Sequence, residues 1–266
     1  MGSHYIHYNR REVRLRFPTD PSDPWFSEEQ GEAEGFDRPR YHVTRAVDGP
    51  AASVEAGDTI WLLGQLYAPW GDHLPPTLDA RIDVAGVGRR NGATGYRYSA
   101  AETSRWFPLT ECTAQLYALE TITAAEGIVP LWKDHSRPIG HYLRRMRKLS
   151  SSRGLQEWEA GLGSRPLHFI SYRIRDGSQP AFDCAQRLFN LGVRVFFDRW
   201  CLPRRLAERR EAVGDEPLDN TLFEAIHEAE AVWGIESPLY AAPGSYTVRE
   251  RDLAQSLNKY RAVVLD

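Results

Sequence analysis

A tyrosine and a glutamate near the carboxyl end of the chain have side-chain types and a spacing that suit chemistry on a polar substrate. Tyr246 and Glu250 are four residues apart within 246–257, a stretch whose pattern predicts a helix, and residues at this spacing lie on one face of a helix. An aromatic ring and a carboxylate could therefore line one pocket, in which partial desolvation would raise the pKa of the carboxyl group. The alternative is an exposed charged face, which the run of charges over 249–252 favours when these residues are considered alone.

Two arginines suit the binding of an anion. Arg173 and Arg175 directly follow the predicted strand 167–172, and one guanidinium group can contact two phosphate oxygens at once. Ordinary solvation of a loop is an equally good interpretation of these residues. Gly177 and Ser178 could add backbone N–H groups at the start of the next helix, which would make a further anion site.

These residues belong to a region in which predicted strands and helices alternate. The strands are 167–172, 193–197, 232–235 and 262–265, and the helices are 180–191, 218–229 and 246–257. Alternation of this kind indicates βαβ units and a parallel sheet. Because ligands bind at the carboxyl ends of the strands in such sheets, we expect a site among the residues that follow Tyr172, Phe197 and Ile235.

The region that precedes it has a β-rich pattern. Predicted strands at 41–46, 59–67, 78–87 and 95–99 indicate a small barrel or sandwich, and helices are predicted at 110–126 and 139–149. The basic stretch 142–149 could contact nucleic acid or an acidic partner, but its apolar residues at spacing three favour a packed helix with a solvated basic face. We divide the chain into a β-rich α+β domain over 1–150, a linker over 151–166 and a second domain over 167–266.

Composition excludes several classes of protein. The chain has 266 residues, of which 42% are hydrophobic and 26% charged, and this balance favours packed domains over disorder. A net charge of -3 gives no overall reason to expect a nucleic-acid partner. The cysteines, Cys112, Cys184 and Cys201, form no Cys-x-x-Cys pair and fit a reducing compartment. With no signal peptide, membrane span, P-loop or metal-ligand motif in the pattern, we predict a cytoplasmic protein without a metal.

The ends of the predicted strands in the second domain carry a set of short motifs. They are Phe169-Ile170-Ser171-Tyr172, Asp176, Leu188, Gly192, Val195-Phe196-Phe197-Asp198, Ala225-Ile226, Glu236-Ser237-Pro238 and Tyr240. Together they resemble the TIR (Toll/interleukin-1 receptor/resistance) domain over 167–266. The resemblance implies an α/β fold with a flavodoxin-like parallel sheet and helices on both of its faces.

Many members of that family cleave NAD+ at the nicotinamide glycosidic bond, using a glutamate in the pattern Trp-x-x-x-Glu. Tyr246 and Glu250 match this spacing, with tyrosine where tryptophan is usual. The resemblance implies that Glu250 is the catalytic residue and that the substrate-binding residues are Tyr172, Arg173, Arg175, Trp200 and Tyr246. Because nicotinamide is already a good leaving group, one carboxylate near the ribose would suffice to stabilise an oxocarbenium-like transition state.

The family also implies how such a protein is used. NAD+ would be a substrate and not a cofactor, the TIR domain would self-associate, and cleavage to nicotinamide and linear or cyclic ADP-ribose would follow oligomerisation in prokaryotic antiphage defence. The amino-terminal domain would sense a ligand or a partner protein, or support assembly. Trp200 lies in the segment that the family uses for substrate access and assembly, and it is either a wall that stacks on a base, an anchor in a neighbouring subunit or a core residue.

Two departures from the family pattern keep a second function open. Tyr246 replaces the usual tryptophan, and the sequence ends at Asp266, where the fourth strand ends, without the final helix that many TIR domains have. The alternative function is that of a non-enzymatic TIR adaptor that acts by self-association.

Overall fold

The computed structural model describes residues 2–8, 11–12, 38–67, 73–90, 94–108, 110–198 and 216–265. The chain divides into two compact units, of which the first runs to Gly163, apart from residues 108–110, and the second begins at Ser164. The protein is a mixed α/β chain in which each unit has its own sheet.

The first unit is built on a ten-stranded mixed sheet. Its strands are β1 (His4–Tyr8), β2 (Arg11–Glu12), β3 (Tyr41–Thr44), β4 (Thr59–Tyr67), β5 (His73–Arg89), β6 (Tyr96–Ala100), β7 (Arg105–Trp106), β8 (Glu120–Thr123), β9 (Gly127–Pro130) and β10 (Arg147–Leu149). Their order is β3-β6-β5-β4-β1-β10-β8-β9, with β2 paired to β4 and β7 paired to β5. The helices of this unit are α1 (Thr113–Tyr117) and α2 (Arg153–Gly161), with short 3-10 turns at 49–53, 139–141 and 162–164.

Strand β4 lies at the centre of this sheet and is buried on both faces. Ile60 and Leu62 point into one hydrophobic core, while Trp61 and Leu63 point into another, as the alternation of side chains along a strand requires. The sequence predicted the bounds of β4 as the structure has them, because a mostly apolar stretch that contains Ile60-Trp61-Leu62-Leu63 is typical of a strand with no solvated face.

The sheet curls strongly between β3 and β1. His7 on β1 and His42 on β3 approach to 2.8 Å between their ring nitrogens, although three strands separate β3 from β1 in the sheet order. The inner side of this curl holds Tyr5 and Tyr98 in one buried cluster. Between β1 and β3 the described strands therefore contact each other through side chains and not through backbone hydrogen bonds.

Two predicted helices of the first unit are wrong. The predicted helix 110–126 ends at Tyr117, and 120–123 is strand β8, paired with β9 and β10. The predicted helix 139–149 is a 3-10 turn followed by β10. In both cases the apolar residues have helical spacing, but the segment forms a strand because it pairs with other strands. Local periodicity cannot predict such tertiary pairing.

The predicted linker 151–166 contains a packed helix. Leu155 and Trp158 of α2, with Leu162 in the turn that follows, are buried in the same core as Trp61. Glu159, one helical turn after Leu155 and also buried, accepts a hydrogen bond of 2.5 Å from Nη1 of Arg81 on β5. Most of this segment therefore belongs to the first unit.

The second unit is a four-stranded parallel sheet with helices between the strands. Its elements are β11 (Leu167–Tyr172), α3 (Ile174–Asn190), β12 (Arg194–Phe196), α4 (Glu216–Glu228), β13 (Ala231–Glu236), α5 (Tyr246–Ser256) and β14 (Tyr260–Val264). The strand order is β12-β11-β13-β14, and each neighbouring pair is parallel. The alternating strands and helices that the sequence predicted for this region are confirmed.

The two faces of this sheet are covered by different helices. α3 packs against β11, β12 and β13, whereas α4 and α5 pack against each other and against β11. The chain reverses direction across the sheet after β12, and right-handed crossovers then place α3 and α4 on opposite faces. Gly192, with φ of 79°, ends α3 as predicted, because a residue in the left-handed region is the usual helix stop.

None of the helices in the described part of the chain is long and apolar enough to cross a membrane.

Candidate functional site

A cavity of about 410 Å³ opens beside the carboxyl end of β11 in the second unit. It is lined by residues of β11, of the first turn of α3, of the end of β12, of α4 and of α5. They are Phe169, Ile170, Tyr172, Arg173, Ile174, Arg175, Asp198, Leu222, Tyr246, Thr247 and Glu250. The structure thus brings together five of the six predicted site residues, and it does so at the strand ends where the sequence predicted a site.

Glu250 is a buried carboxylate in this cavity and not an exposed charge of a helix face. Only 6% of the residue is exposed, whereas the side chain of Asp252, two residues later on α5, is 61% exposed. The hydroxyl of Ser171 on β11 donates a hydrogen bond of 2.6 Å to Oε2 of Glu250. A charge is rarely buried without such a donor, because desolvation alone would disfavour its ionised form.

The hydroxyl of Tyr240 supports that of Ser171. Oη of Tyr240 lies 2.9 Å from Oγ of Ser171, and because the one hydroxyl proton of Ser171 is given to Glu250, Tyr240 must donate to Ser171. Burial raises the pKa of Tyr240, which keeps its phenol protonated and able to donate. The backbone oxygen of Tyr240 accepts a hydrogen bond from Thr247 in the first turn of α5, so the same residue fixes the start of the helix that carries Glu250.

Tyr246 and Glu250 line the same cavity, as their spacing on one helix predicted. The guanidinium carbon of Arg249 lies 5.4 Å from the centre of the Tyr246 ring, and Arg249 also pairs with Asp219 of α4, with an Nη2–Oδ2 distance of 2.6 Å. These contacts hold α5 against α4, so that the aromatic ring has a fixed place in the cavity wall.

Arg173 and Arg175 lie at the start of α3. Arg173 is the residue before the helix, with extended backbone angles, and Arg175 is in the first turn. Arg173 is half-buried and Arg175 is exposed, and neither forms an ion pair with another described residue. The first turn of a helix carries backbone N–H groups and partial positive charge, so this wall of the cavity is electropositive in both its side chains and its backbone.

The anion site predicted at Gly177 and Ser178 is wrong. α3 begins at Ile174 and not at Pro180, so both residues lie inside the helix. The N–H of Gly177 donates to the backbone oxygen of Arg173 at 2.7 Å, and the hydroxyl of Ser178 donates to Ile174 at 2.6 Å. These groups are already used by the helix.

Tyr172 connects two strand ends across the mouth of the cavity. Its hydroxyl donates to Oδ1 of Asp198, which follows β12, and its ring packs against Phe197 with centroids 5.5 Å apart. Tyr172 therefore fixes the segment at the end of β12. Trp200, the sixth predicted site residue, lies outside the described residues, as does Cys201.

Sequence reasoning did not assign a role to Ser171 or Tyr240. Ser171 is the penultimate residue of β11, and side-chain alternation places it on the face opposite Tyr172. A hydroxyl in an otherwise apolar strand was the available signal, since buried polar groups need partners. Tyr240 was one of the motif residues, but its contact with Ser171 could not be predicted, because its loop between β13 and α5 has no periodic pattern.

No group of three or more histidine, cysteine, aspartate or glutamate side chains in the described ranges could hold a metal ion. Of the cysteines, Cys112 and Cys184 are buried free thiols, and burial raises the pKa of both. Such thiols are poor nucleophiles at neutral pH.

Comparison of the chain with protein-family models, with curated proteins and with solved structures gives no match in any of the three.

Proposed function

We propose that this protein is an NAD+ glycohydrolase or cyclase of the TIR type, with Glu250 as its catalytic residue. The observation that carries the proposal is the buried carboxylate of Glu250 in a cavity that also contains an aromatic ring and an arginine-rich helix start. The reaction is inferred from the short motifs that resemble the TIR domain, and the geometry of the cavity suits that reaction.

The arrangement of the sheet supports the family assignment. In order of appearance the strands β11 to β14 have the spatial order 2-1-3-4, which is also the order of the first four strands in flavodoxin-like sheets. Ligands of that fold bind outside the carboxyl ends of the strands next to the point where the order reverses. The cavity lies at the carboxyl end of β11, the strand at which this sheet reverses.

The proposed chemistry needs one anion near the ribose. The bond between the ribose C1′ atom and the nicotinamide nitrogen breaks, its electron pair leaves with neutral nicotinamide, and positive charge develops on the sugar. The carboxylate of Glu250 stabilises that charge, and it does so strongly because the cavity excludes much of the solvent. Water then adds to C1′ and loses a proton, which gives ADP-ribose, or a group of the substrate itself adds, which gives a cyclic product.

The electropositive wall suits the other half of NAD+. Arg173 and Arg175 offer guanidinium groups to the pyrophosphate, and the first turn of α3 adds backbone donors beside them. Tyr246 offers a ring against which nicotinamide or the ribose can pack, in the position that tryptophan takes in the family. Tyr172 shapes the wall on the side of β12 through its contact with Asp198.

The rest of the proposal follows the family. We place the protein in the cytoplasm of a prokaryote, where its TIR unit self-associates, NAD+ is the substrate with no separate cofactor, and NAD+ loss or an ADP-ribose signal serves antiphage defence. The first unit then responds to a ligand or partner protein. Because self-association brings active subunits together, turnover should rise faster than linearly with protein concentration.

The test is nicotinamide release from NAD+ across a protein concentration series, for the wild type and for Glu250→Gln. The amide has nearly the same volume and still accepts the hydrogen bond from Ser171, so it removes the charge while keeping the packing. We expect a loss of turnover of about 10²- to 10³-fold, comparable to the loss of a strong electrostatic stabiliser. Asp252→Asn is the matched control, since it neutralises an exposed carboxylate on the same helix and should leave turnover unchanged.

A non-enzymatic adaptor is the second candidate, and one observation favours it. Among the described strands, β14 pairs only with β13, and Val264 at its end is 71% exposed, which is a strand edge open to another chain. Absent turnover in the wild type at every concentration, combined with concentration-dependent assembly, would favour the adaptor over the enzyme. Equal turnover in the wild type and Glu250→Gln would instead show that Glu250 is not the catalytic residue.

A further inference from the structure

A second cavity, of about 500 Å³, lies in the first unit and is unconnected with the proposed reaction. It is lined by three short segments of chain. They are His7 on β1, the residues Val43, Thr44, Arg45, Ala46, Val47 and Asp48 at the end of β3, and Arg144 and Arg145 before β10. The cavity therefore opens where the curled sheet brings β1 and β3 together. The mouth of a curled or barrel-like sheet is a common place for small ligands.

The charges around this cavity do not balance. Three arginines and one aspartate line it, and the only ion pair among them joins Nη1 of Arg145 to Asp48 at 3.6 Å, with both side chains more than 70% exposed. Such a pair is weak in water. Arg45 and Arg144 form no ion pair with any residue that the structure describes, although Arg81 and Arg194 elsewhere have carboxylate partners. Two positive charges therefore remain beside the cavity.

His7, which lines the cavity, is in contact with His42 on β3. His7 and His42 share a contact of 2.8 Å between Nδ1 and Nε2, which needs one ring to donate and the other to accept. Burial lowers the pKa of His7 to about 4 and that of His42 well below its usual value, so both rings are neutral near pH 7. The ring of His42 also stacks on Tyr98, with centroids 6.1 Å apart, which fixes its orientation.

One side of the cavity is apolar, with Val43, Ala46 and Val47, of which Val47 is 52% exposed. This combination offers two kinds of contact. The exposed arginines suit phosphate oxygens, which a guanidinium group can hold in pairs, and the neutral imidazole of His7 and the apolar residues suit an uncharged ring.

We propose that this cavity binds a small organic phosphate of nucleotide size, with its phosphates between Arg45 and Arg144 and its uncharged part against the side formed by Val43 and Val47. The size of the cavity is that of a small-molecule site, whereas a nucleic acid would need a longer basic track than these residues provide. The site belongs to the first unit alone and does not depend on the proposed NAD+ cleavage. Such a site would make the first unit responsive to a small molecule.

The test uses the full chain and isothermal titration with ATP and with inorganic tripolyphosphate, at low and at physiological salt. ATP should bind, and the double variant Arg45→Gln with Arg144→Gln should weaken its affinity by about 100-fold, since each charge-assisted contact to phosphate contributes about tenfold. Both arginines are exposed, so the thermal midpoint of the variant should equal that of the wild type. Arg153→Gln, an exposed arginine of α2 outside the cavity, is the matched control and should bind ATP normally.

Several results would overturn the proposal. These are failure of the wild type to bind either probe, unchanged ATP affinity in the double variant, and loss of ATP binding in Arg173→Gln, which would place the ligand in the other unit. Equal affinity for tripolyphosphate and ATP would show that the organic part of the ligand contributes nothing to binding. If single-stranded oligonucleotides bind more tightly than ATP, with a salt dependence that grows with their length, the ligand of this cavity is nucleic acid and not a small molecule.

Discussion

The hydroxyl of Ser171 on β11 donates a 2.6 Å hydrogen bond to the buried carboxylate of Glu250 on α5. This contact joins the centre of the parallel sheet to the helix that carries the proposed catalytic group. Tyr240 donates to Ser171 in turn, so two hydroxyl groups from different elements orient one carboxylate. A buried carboxylate needs hydrogen bonds in place of the lost solvent, and Ser171 supplies one such bond to Glu250.

Replacing Ser171 by alanine should weaken catalysis. Without the donor, the buried carboxylate of Glu250 loses a hydrogen bond that orients it in the cavity. Activity at neutral pH should therefore fall by about 10- to 100-fold, the range for a hydrogen bond to a charged group. Steady-state kinetics of nicotinamide release measure this change.

Ser178→Ala is the control for that experiment, because its hydroxyl bonds to a backbone oxygen within α3 and has no contact with Glu250. Ser178→Ala should keep the activity of the wild type. Equal activity in Ser171→Ala and Ser178→Ala would therefore contradict the assigned role.

Gly234 makes room for a tyrosine ring across the parallel sheet. A Cβ atom at Gly234 would clash with Oη of Tyr260 and lie 2.5 Å from its ring carbons, and Tyr260 donates a 2.9 Å hydrogen bond to Glu236. Gly234→Ala should displace the ring and lower the free energy of unfolding by about 1–3 kcal/mol, as overpacking does. Denaturant unfolding of the variant measures this loss.

Gly177→Ala is the matched control in the same unit, because its new Cβ would meet atoms only at 3.5 Å, an ordinary contact, inside a helix. It should be neutral or stabilising. Removing the ring with Tyr260→Ala should rescue Gly234→Ala, so that the two changes together cost less than their sum. Strictly additive losses would show that the ring and the glycine are not coupled.

The pair formed by His7 and His42 should make the first unit sensitive to acid. The pKa of His7 is about 4 in the folded protein and 6.5 in an unfolded chain, so between these values the unfolded state binds more protons. Stability from this pair is complete above pH 6.5 and is lost as the pH falls towards 4, by about 1–3 kcal/mol. Tyr98 stacks on His42, while Asp48, Arg144 and Arg145 face the same cavity as His7.

Unfolding curves of the wild type and His42→Phe from pH 8 to pH 4 test this dependence. The variant removes one of the two imidazoles of the pair, so its stability should fall less steeply below pH 6.5. His141→Gln, an exposed histidine with no such partner, should keep the slope of the wild type. Parallel curves for the wild type and His42→Phe would show that the pair does not titrate with unfolding.

The sequence predicted the second unit better than the first. Each strand of the parallel sheet is a short apolar run between helices with clear periodicity, and the predicted bounds of α5 and β11 differ from the structure by at most one residue. The predicted start of α3 was wrong because Pro180, a typical first-turn residue, lies inside the helix. In the first unit, strands β8 and β10 are fixed by distant partners, and local pattern could not reveal them.

Part of the candidate site could likewise be predicted from the sequence, and part could not. Glu250 and Tyr246 could be placed together from their spacing, and Arg173 and Arg175 from the strand that precedes them, because helices and strands have fixed periods. The burial of Glu250 and its contact with Ser171 could not be predicted, since both depend on how α5 packs against the sheet. The arginine cavity of the first unit was equally hidden, because its residues come from three separate segments.

Helix α2 should stabilise the first unit through Glu159, whose side chain is only 6% exposed and pairs with both Arg81 and Arg105. Glu159→Gln removes the charge that two cations face, so the first unit should lose about 1–3 kcal/mol of unfolding free energy, less than for a fully buried pair because the arginines are partly exposed. Glu157→Gln, on the exposed side of the same helix, should leave the transition unchanged. A flexible linker would tolerate both changes alike, so equal stability of the two variants would show that α2 is not part of the first unit in solution.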